Sequence, residues 1–530
     1  MIDGTGNPWF RADIAIEDGR IERIGYLRSS SGDRVINAKG LIVSPGFIDM
    51  HTHSDFCYKA NPKAESKIRQ GVTTEVIGNC GFSAAPISRA VTESAREFLR
   101  AISHGVSGWN WSSMTEYFNS LQEQGTAVNV AALVGHGLLR LDVMGFEDRK
   151  PTSDEMKEMK TLLHESLKAG AFGMSSGRGY PPGSFADTNE LVELCGVLAE
   201  HGAIYTSDIG MEGEGLLEKV QEQIDIGERA GVPVEISHHK ASGRPFWGRV
   251  NVSLKNIEDA RMRGVDVTAD AYPYTAGSGG LGMHFLPPWA YDGGTDRMLD
   301  KLKDSEVREK IIEESKVGWR GMNIAKSSTW DEIIITSHRN DSKVEGRTIA
   351  ELAKLRQANP YNVVFDLVLE SGDATQCVML QRMSEDDVRK VICHNAVMVG
   401  SDGNSLAPYG DMGKGKPHPR SYGTYPRILA KFVREDKVLT LQEAIRKMTS
   451  FPAQKLGLRD RGILKEGMCA DIVLFDLAAI QDKATFTDPH QYPSGIEYVI
   501  VNGEVVVDEG EHIGTLAGKV LHHQTVVNNY

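Results

Sequence analysis

The chain has 530 residues, 40% of them hydrophobic and 25% charged, with a formal net charge of −13. That length exceeds what one small domain needs, so a large catalytic domain with at least one satellite is expected. The acidic balance disfavours nucleic acid as a partner. No apolar run approaches the roughly 18 residues of a membrane span, and the N-terminus lacks a signal-peptide core. The six cysteines are scattered without a CxxC pair, which reads as free thiols in a reducing compartment and so as a cytoplasmic protein.

In chain order, the first predicted elements are short strands at Asp13–Ile16, Ile21–Ile24 and Leu41–Val43, punctuated by turn signals such as Asp18-Gly19. The abrupt opening at Met1–Gly4 leaves room for a strand further upstream. Eight apolar runs follow: Gly46–Met50, Thr74–Gly78, Val128–Val134, Ala171–Ser175, Ala203–Ser207, Pro233–Ser237, Asp266–Ala271 and Val397–Ser401. Helical patterns fall between several of them, at Ser153–Ala169, Asn189–His201, Glu214–Ala230 and Leu254–Arg263. Eight alternating units point to an α/β fold, a (β/α)8 TIM-like barrel. Residues 279–390 interrupt the alternation with charged helical stretches and a strand at Ile333–Thr336, which reads as an inserted subdomain or lid. Near the C-terminus, Ala470–Phe475 precedes Ile496–Val501 and Glu504–Val507, the last two joined by Asn502-Gly503, a strong hairpin signal. The organisation expected is therefore a small discontinuous β-sandwich-like domain from residues 1–43 and 455–530 around a barrel of residues 44–454.

Functional groups on such a barrel gather at the C-terminal ends of its strands. The first strand ends in His51-Thr52-His53, whose two imidazoles share one face of an extended segment and can reach one ion. The sixth ends in His238-His239, of which His238 shares the face of Val234 and Ile236. The second leads into Cys80, a soft ligand when ionised, and the eighth into Asp402, a carboxylate able to take a proton from water. Taken singly, each residue has a plain structural role open to it: a core histidine, a buried thiol, a turn cap. Their joint placement at strand ends favours a divalent metal that activates water and polarises a carbonyl, hence hydrolysis of an amide or ester.

Beyond these residues, the sequence carries Gly46-Phe-Ile-Asp-Met-His-Thr-His53, Val76-Ile-Gly-Asn-Cys-Gly-Phe82, Gly135-His-Gly137 and Tyr180-Pro-Pro-Gly-Ser184. It continues with Ile236-Ser-His-His-Lys240, Asp270-Ala-Tyr-Pro-Tyr274, Gly400-Ser-Asp-Gly403 and Pro417-His-Pro-Arg420. Nearly end to end, these segments resemble the N-acyl-D-amino-acid deacylases (D-aminoacylases) of the amidohydrolase superfamily. The resemblance implies one tightly held Zn2+ on Cys80 and His238, with His51 and His53 forming a second, weaker position beside Asp402. It implies Asp402 as catalytic acid/base, and a small-molecule N-acyl amino acid substrate whose carboxylate is held by Lys240, Tyr272 and Arg420 with Ser278 close by. A guanidinium and an ammonium suit that task through charge-assisted hydrogen bonds.

Two departures stand out. The family usually carries a histidine ligand at the end of strand five and an arginine two residues later, where this chain has Asp208 and Gly210. Asp208 can still ligate as a carboxylate, with a changed metal preference, or it can mark a degenerate, non-catalytic homologue. Arg178 stands where the family more often has apolar residues, and reads either as facing an acidic substrate side chain or as solvating a loop. A cyclic-amide hydrolase of hydantoinase or dihydropyrimidinase type is the alternative enzyme. It is disfavoured because strand four has no lysine to carboxylate. The sequence sets no oligomeric state.

Overall fold

The computed structural model describes residues 1–27, 32–103, 106, 108–318 and 327–524. All eight expected barrel strands form: β1 (Phe47–Asp49), β2 (Val72–Ile77), β3 (Asn129–Gly135), β4 (Gly173–Gly177), β5 (Ile204–Asp208), β6 (Val234–Ile236), β7 (Val267–Ala271) and β8 (Val397–Val399). They pair in parallel in chain order from β1 to β7, with β8 beside β7. Closure comes from the segments just past the strands, where Asp402 N donates to His51 O (2.8 Å) and His53 N donates to Gly403 O (3.0 Å). Along β3, Ala131 and Leu133 face an inner cluster with Ile48, Val76, Phe172 and Met398. Val130, Ala132 and Val134 face the helices instead, as the two-residue period of a strand requires.

The flanking helices follow their local signals. Thr152 and Glu155 form a capping box at the start of Ser153–Lys168, and Gly202 and Gly231 end Thr188–His201 and Leu216–Ala230 in left-handed conformation. One helix starts earlier than its charge pattern suggests, at Val250 rather than Leu254, because Val250, Leu254 and Ile257 lie on one buried face.

The first strand signal, found as Asp13–Glu17, forms a hairpin with Arg20–Gly25 over Asp18-Gly19, both at positive φ. Ile42–Pro45 does not join them. It pairs antiparallel with Ile472–Phe475, at the edge of a sheet continued by Ile496–Val501, Glu504–Asp508 and Glu511–His512. The hairpin and this sheet share an apolar cluster containing Ile21, Leu464, Ile472 and Ile500. The C-terminal stretch departs from the expectation that it stays with the small sheet. It runs back to the barrel, where Val130 N donates to Lys519 O and Leu521 N donates to Val130 O. The inserted segment begins two residues before its expected start and holds a three-stranded antiparallel sheet (Gly277–Gly280, Gln376–Met379, Ile333–Ser337) with its own apolar cluster around Phe285, Ile335 and Phe365.

Beneath the strand ends, fully buried Lys67 ties the barrel seam together. Its Nζ lies 2.8 Å from Asp49 Oδ2 on β1, 3.7 Å from Glu75 Oε1 on β2 and 2.5 Å from Ser401 Oγ just past β8. Removing the ammonium leaves Asp49 and Glu75 without their shared cation in the interior. Lys67→Met should therefore lower stability by about 3–5 kcal/mol, read as a lower denaturation midpoint. An unchanged midpoint would mean the seam is held by backbone hydrogen bonds alone.

Candidate metal centre

Three turns at the barrel mouth share an unusual backbone. Cys80, His238 and Asp402 have φ of 55°, 36° and 51°, left-handed values that cost a non-glycine residue about 1–2 kcal/mol. Each lies two or three residues past the end of its strand and lines the cleft at the barrel mouth. Gly177 permits this at Cys80, since a Cβ there would lie 2.3 Å from Cys80 O.

The result is a compact donor set. His51 Nε2 lies 3.2 Å from Cys80 Sγ, and Cys80 Sγ lies 3.6 Å from His238 Nε2. Asp402 Oδ1 lies 3.1 Å from His53 Nε2 and 3.7 Å from His51 Nε2. Two ligand groups therefore share His51: His51–Cys80–His238 and His51–His53–Asp402. A third comprises Asp208, Glu212 and His238, with Asp208 Oδ2 3.6 Å from His238 Nε2.

The outward nitrogens are held by carboxylates, as those of metal-ligating histidines usually are. His51 Nδ1 donates to Asp270 Oδ2 (3.0 Å), and His238 Nδ1 lies 3.0 Å from Glu212 Oε1. Lys240 Nζ also lies 2.7 Å from His238 Nδ1. An ammonium and an imidazole N–H cannot both donate to one another, so Glu212 accepts from both, leaving His238 Nε2 free to ligate. A thiolate, imidazoles and carboxylates so arranged fit zinc.

The charges reinforce one another. Burial opposes ionisation of Cys80, but the imidazoles of His51 and His238 bring its thiol down to about 6. Burial likewise opposes ionisation of Asp402, yet Arg420 beside it holds that carboxyl well below the usual range. Glu212 is held low in the same way by Lys240 and His238, against burial.

The donors open into a cleft of about 210 Å³ that also exposes Lys240, Tyr272, Ser278 and Arg420. Both cations lie over the Tyr272 ring, Arg420 at 4.9 Å and Lys240 at 5.4 Å from its centroid. His418 places Arg420: its Nε2 donates to Ala276 O (3.1 Å) and its Nδ1 accepts from Arg420 N (3.0 Å). Arg420 Nη1 rests 2.7 Å from Asp402 Oδ2. Ser278 donates to Cys377 O (3.0 Å) in the sheet of the inserted segment.

Other singled-out residues lie elsewhere. His239 points away to Ser253 Oγ (2.9 Å), and His136 pairs with Glu190 (2.8 Å). Arg178 takes neither expected role. It bonds the carbonyls of Gly183 and Ala186 and lies 3.4 Å from Glu222, because the loop after β4 folds over it. Gly210 has φ of 73°, and a Cβ there would lie 2.3 Å from Gly179 N, so this backbone accepts no side chain. On β4, Ser175 and Ser176 stand where a carboxylated lysine would be needed. Sequence reasoning missed Asp270 and Glu212; each is an acid at or just past a strand end, the signal that could have found them.

Comparison with known proteins agrees with this geometry. The profile of the amidohydrolase family matches residues 34–320 and 335–507. D-aminoacylase of Alcaligenes xylosoxydans xylosoxydans is 35% identical over 521 residues, covering 98% of this chain and 96% of that protein. N-acyl-D-glutamate deacylase of the same organism is 36% identical over 503 residues, covering 95% and 91%. The crystal structure of N-acyl-D-glutamate deacylase from Bordetella bronchiseptica, complexed with zinc and a phosphonate mimic of the tetrahedral intermediate, superposes with a TM-score of 0.82. It is 34% identical and covers 98% of this chain and 97% of its own.

The thiol shift gives a test. In metal-free protein, iodoacetamide should alkylate Cys80 with a midpoint near pH 6, reactivity rising with pH as thiolate forms. Burial pushes the thiols of Cys57 and Cys195 far up, so both should stay unlabelled at neutral pH. Added zinc should protect Cys80. Mass spectrometry finding equal labelling with and without zinc would remove Cys80 from the centre.

Proposed function

The chain belongs to the amidohydrolase family, and we propose that it is a zinc-dependent enzyme hydrolysing N-acyl amino acids, D in configuration, to a carboxylate and a free amino acid. The observation carrying this reading is the shared cleft: soft and imidazole donors on one side, two cations over Tyr272 on the other, and Asp402 between them. Its relatives named above act on substrates of this kind. The protein's six cysteines are free, which supports a cytoplasmic location, and among the described residues no helix is long and apolar enough to cross a membrane.

Cys80 and His238 would hold the tight ion, with His51 and Asp208 as adjoining donors; His51, His53 and Asp402 would offer a second, weaker position. When bound, zinc activates water and polarises the amide carbonyl. Lys240, Tyr272, Ser278 and Arg420 orient the substrate through its carboxylate, a charge-assisted contact that fixes the amide over the donors. Asp402 takes the proton of the attacking water and returns it to the departing nitrogen, which must be protonated to leave. A screen of N-acetyl-D- and N-acetyl-L-amino acids with added Zn2+, read as free amine, tests the reading. A chain that binds zinc yet releases no amine from any of them would instead be a non-catalytic homologue.

Asp402→Asn keeps the shape but removes the base, so kcat should fall by roughly 10²–10⁴ while zinc content, measured by elemental analysis, stays near wild type. Near-full kcat with metal bound would place the base elsewhere. If Asp208 is a ligand, Asp208→Ala should weaken zinc affinity and Asp208→His should keep or tighten it. Unchanged affinity in both variants would show that β5 supplies no ligand.

A further inference from the structure

We propose that Arg382 is a specificity residue of this cleft, taking a second anionic group carried on the side chain of the substrate amino acid. The inference rests on the hydrolase reading above and narrows it to acidic amino acids.

Arg382 follows the strand Gln376–Met379 of the inserted segment and is 8% exposed, lining the cleft. Its main chain is pinned: its carbonyl accepts from Gly243 N (2.7 Å) and Trp247 Nε1 (3.0 Å). Gly277 makes room for the side chain, since a Cβ there would lie 3.2 Å from Arg382 Cδ. Nε donates to Ser242 Oγ (2.6 Å), and among the described residues Nη1 meets only the thioether of Met379 (3.2 Å), a weak acceptor.

Among the described residues the cleft has three strong cations, and two of them are paired with carboxylates. Lys240 lies 2.6 Å from Glu212 and Arg420 lies 2.7 Å from Asp402. Among the described residues Arg382 has no carboxylate oxygen within 4.0 Å, and the remaining residues include neither Asp nor Glu. Glu212 lies near enough for the two charges to act on one another, but no carboxylate of the described residues pairs directly with this guanidinium. A ligand anion supplies the missing partner.

Position identifies which part of the ligand. The Gly277 Cβ position that touches Arg382 is also 3.9 Å from Tyr272 Oη, so Arg382 and the carboxylate-binding tyrosine flank one glycine. Arg382 therefore adjoins Tyr272, in the part of the cleft assigned above to the carboxylate of the amino acid. His284 Nε2, buried and without a partner among the described residues, lines the same cleft and offers a further polar contact. A carboxylate one or two methylenes from the α-carbon suits that spacing: the side chain of aspartate or glutamate.

The test compares kcat/KM for N-acetyl-D-glutamate and N-acetyl-D-glutamine in zinc-loaded wild type, Arg382→Met and Arg382→Lys. Wild type should prefer the acid about ten- to hundredfold; the methionine variant should approach parity, and lysine should restore part of the preference. A wild type without preference, a ratio unchanged in Arg382→Met, or equal loss on both substrates would overturn the proposal. Calorimetric binding of glutarate reads the same anchor without turnover. If no N-acyl amino acid is hydrolysed but glutarate binds at least tenfold more weakly to Arg382→Met, the hydrolase reading falls and the anion site stands. Equal glutarate binding by both proteins would remove the anion site whatever the activity.

Discussion

One carboxylate holds the barrel mouth in its working arrangement. Asp270, at the penultimate position of β7, accepts from His51 Nδ1 through Oδ2 and from His238 N through Oδ1, each at 3.0 Å. It thereby fixes a ring that arrives from β1 and a turn that arrives from β6. His51 is common to two of the three donor groups, so its orientation decides whether they coincide. Burial opposes charge on Asp270, but His51 keeps it ionised and below the ordinary carboxylate range. Gly400 is part of the same device, since a Cβ there would lie 2.8 Å from both Asp270 Oδ1 and His51 Cβ. Without that gap, β8 could not bring Asp402 to the histidines.

The barrel was legible because parallel strands buried on both faces leave unbroken apolar runs, as Val128–Val134 does. The residues at strand ends were legible for a related reason: a barrel presents its strand termini to one place, so His51, Cys80, His238 and Asp402 could be grouped without contacts. Chain direction decided between His238 and His239, because successive side chains on an extended segment take opposite faces. Pairings between charges were not legible. Nothing in the sequence places Glu212 between His238 and Lys240, or Arg178 under its own loop, because those contacts depend on loop paths that local pattern does not fix. The C-terminal run back to β3 was hidden too, since Ala517–Leu521 has no strand-like alternation and is ordered by backbone hydrogen bonds to the barrel.

Electrostatically, the cleft is an alternation of opposed charges rather than a basic pocket. Glu212 and Asp402 each restrain a cation that the substrate carboxylate is expected to meet, and Glu212 favours the charged form of Lys240 against its burial. Gly210 belongs to this balance. In relatives with arginine at that point another cation would enter, whereas here the chain packs backbone against backbone at Gly179.

The left-handed turns also govern how such a centre can change over time. Cys80, His238 and Asp402 occupy conformations that exclude β-branched replacements, so drift at those three positions is confined by the main chain as well as by chemistry. Asp208 is different: it closes β5 in regular extended pairing with Gly177, where almost any side chain fits the backbone. The end of the fifth strand is thus the place where a side chain can be exchanged without rebuilding a loop, an open slot in an otherwise rigid frame.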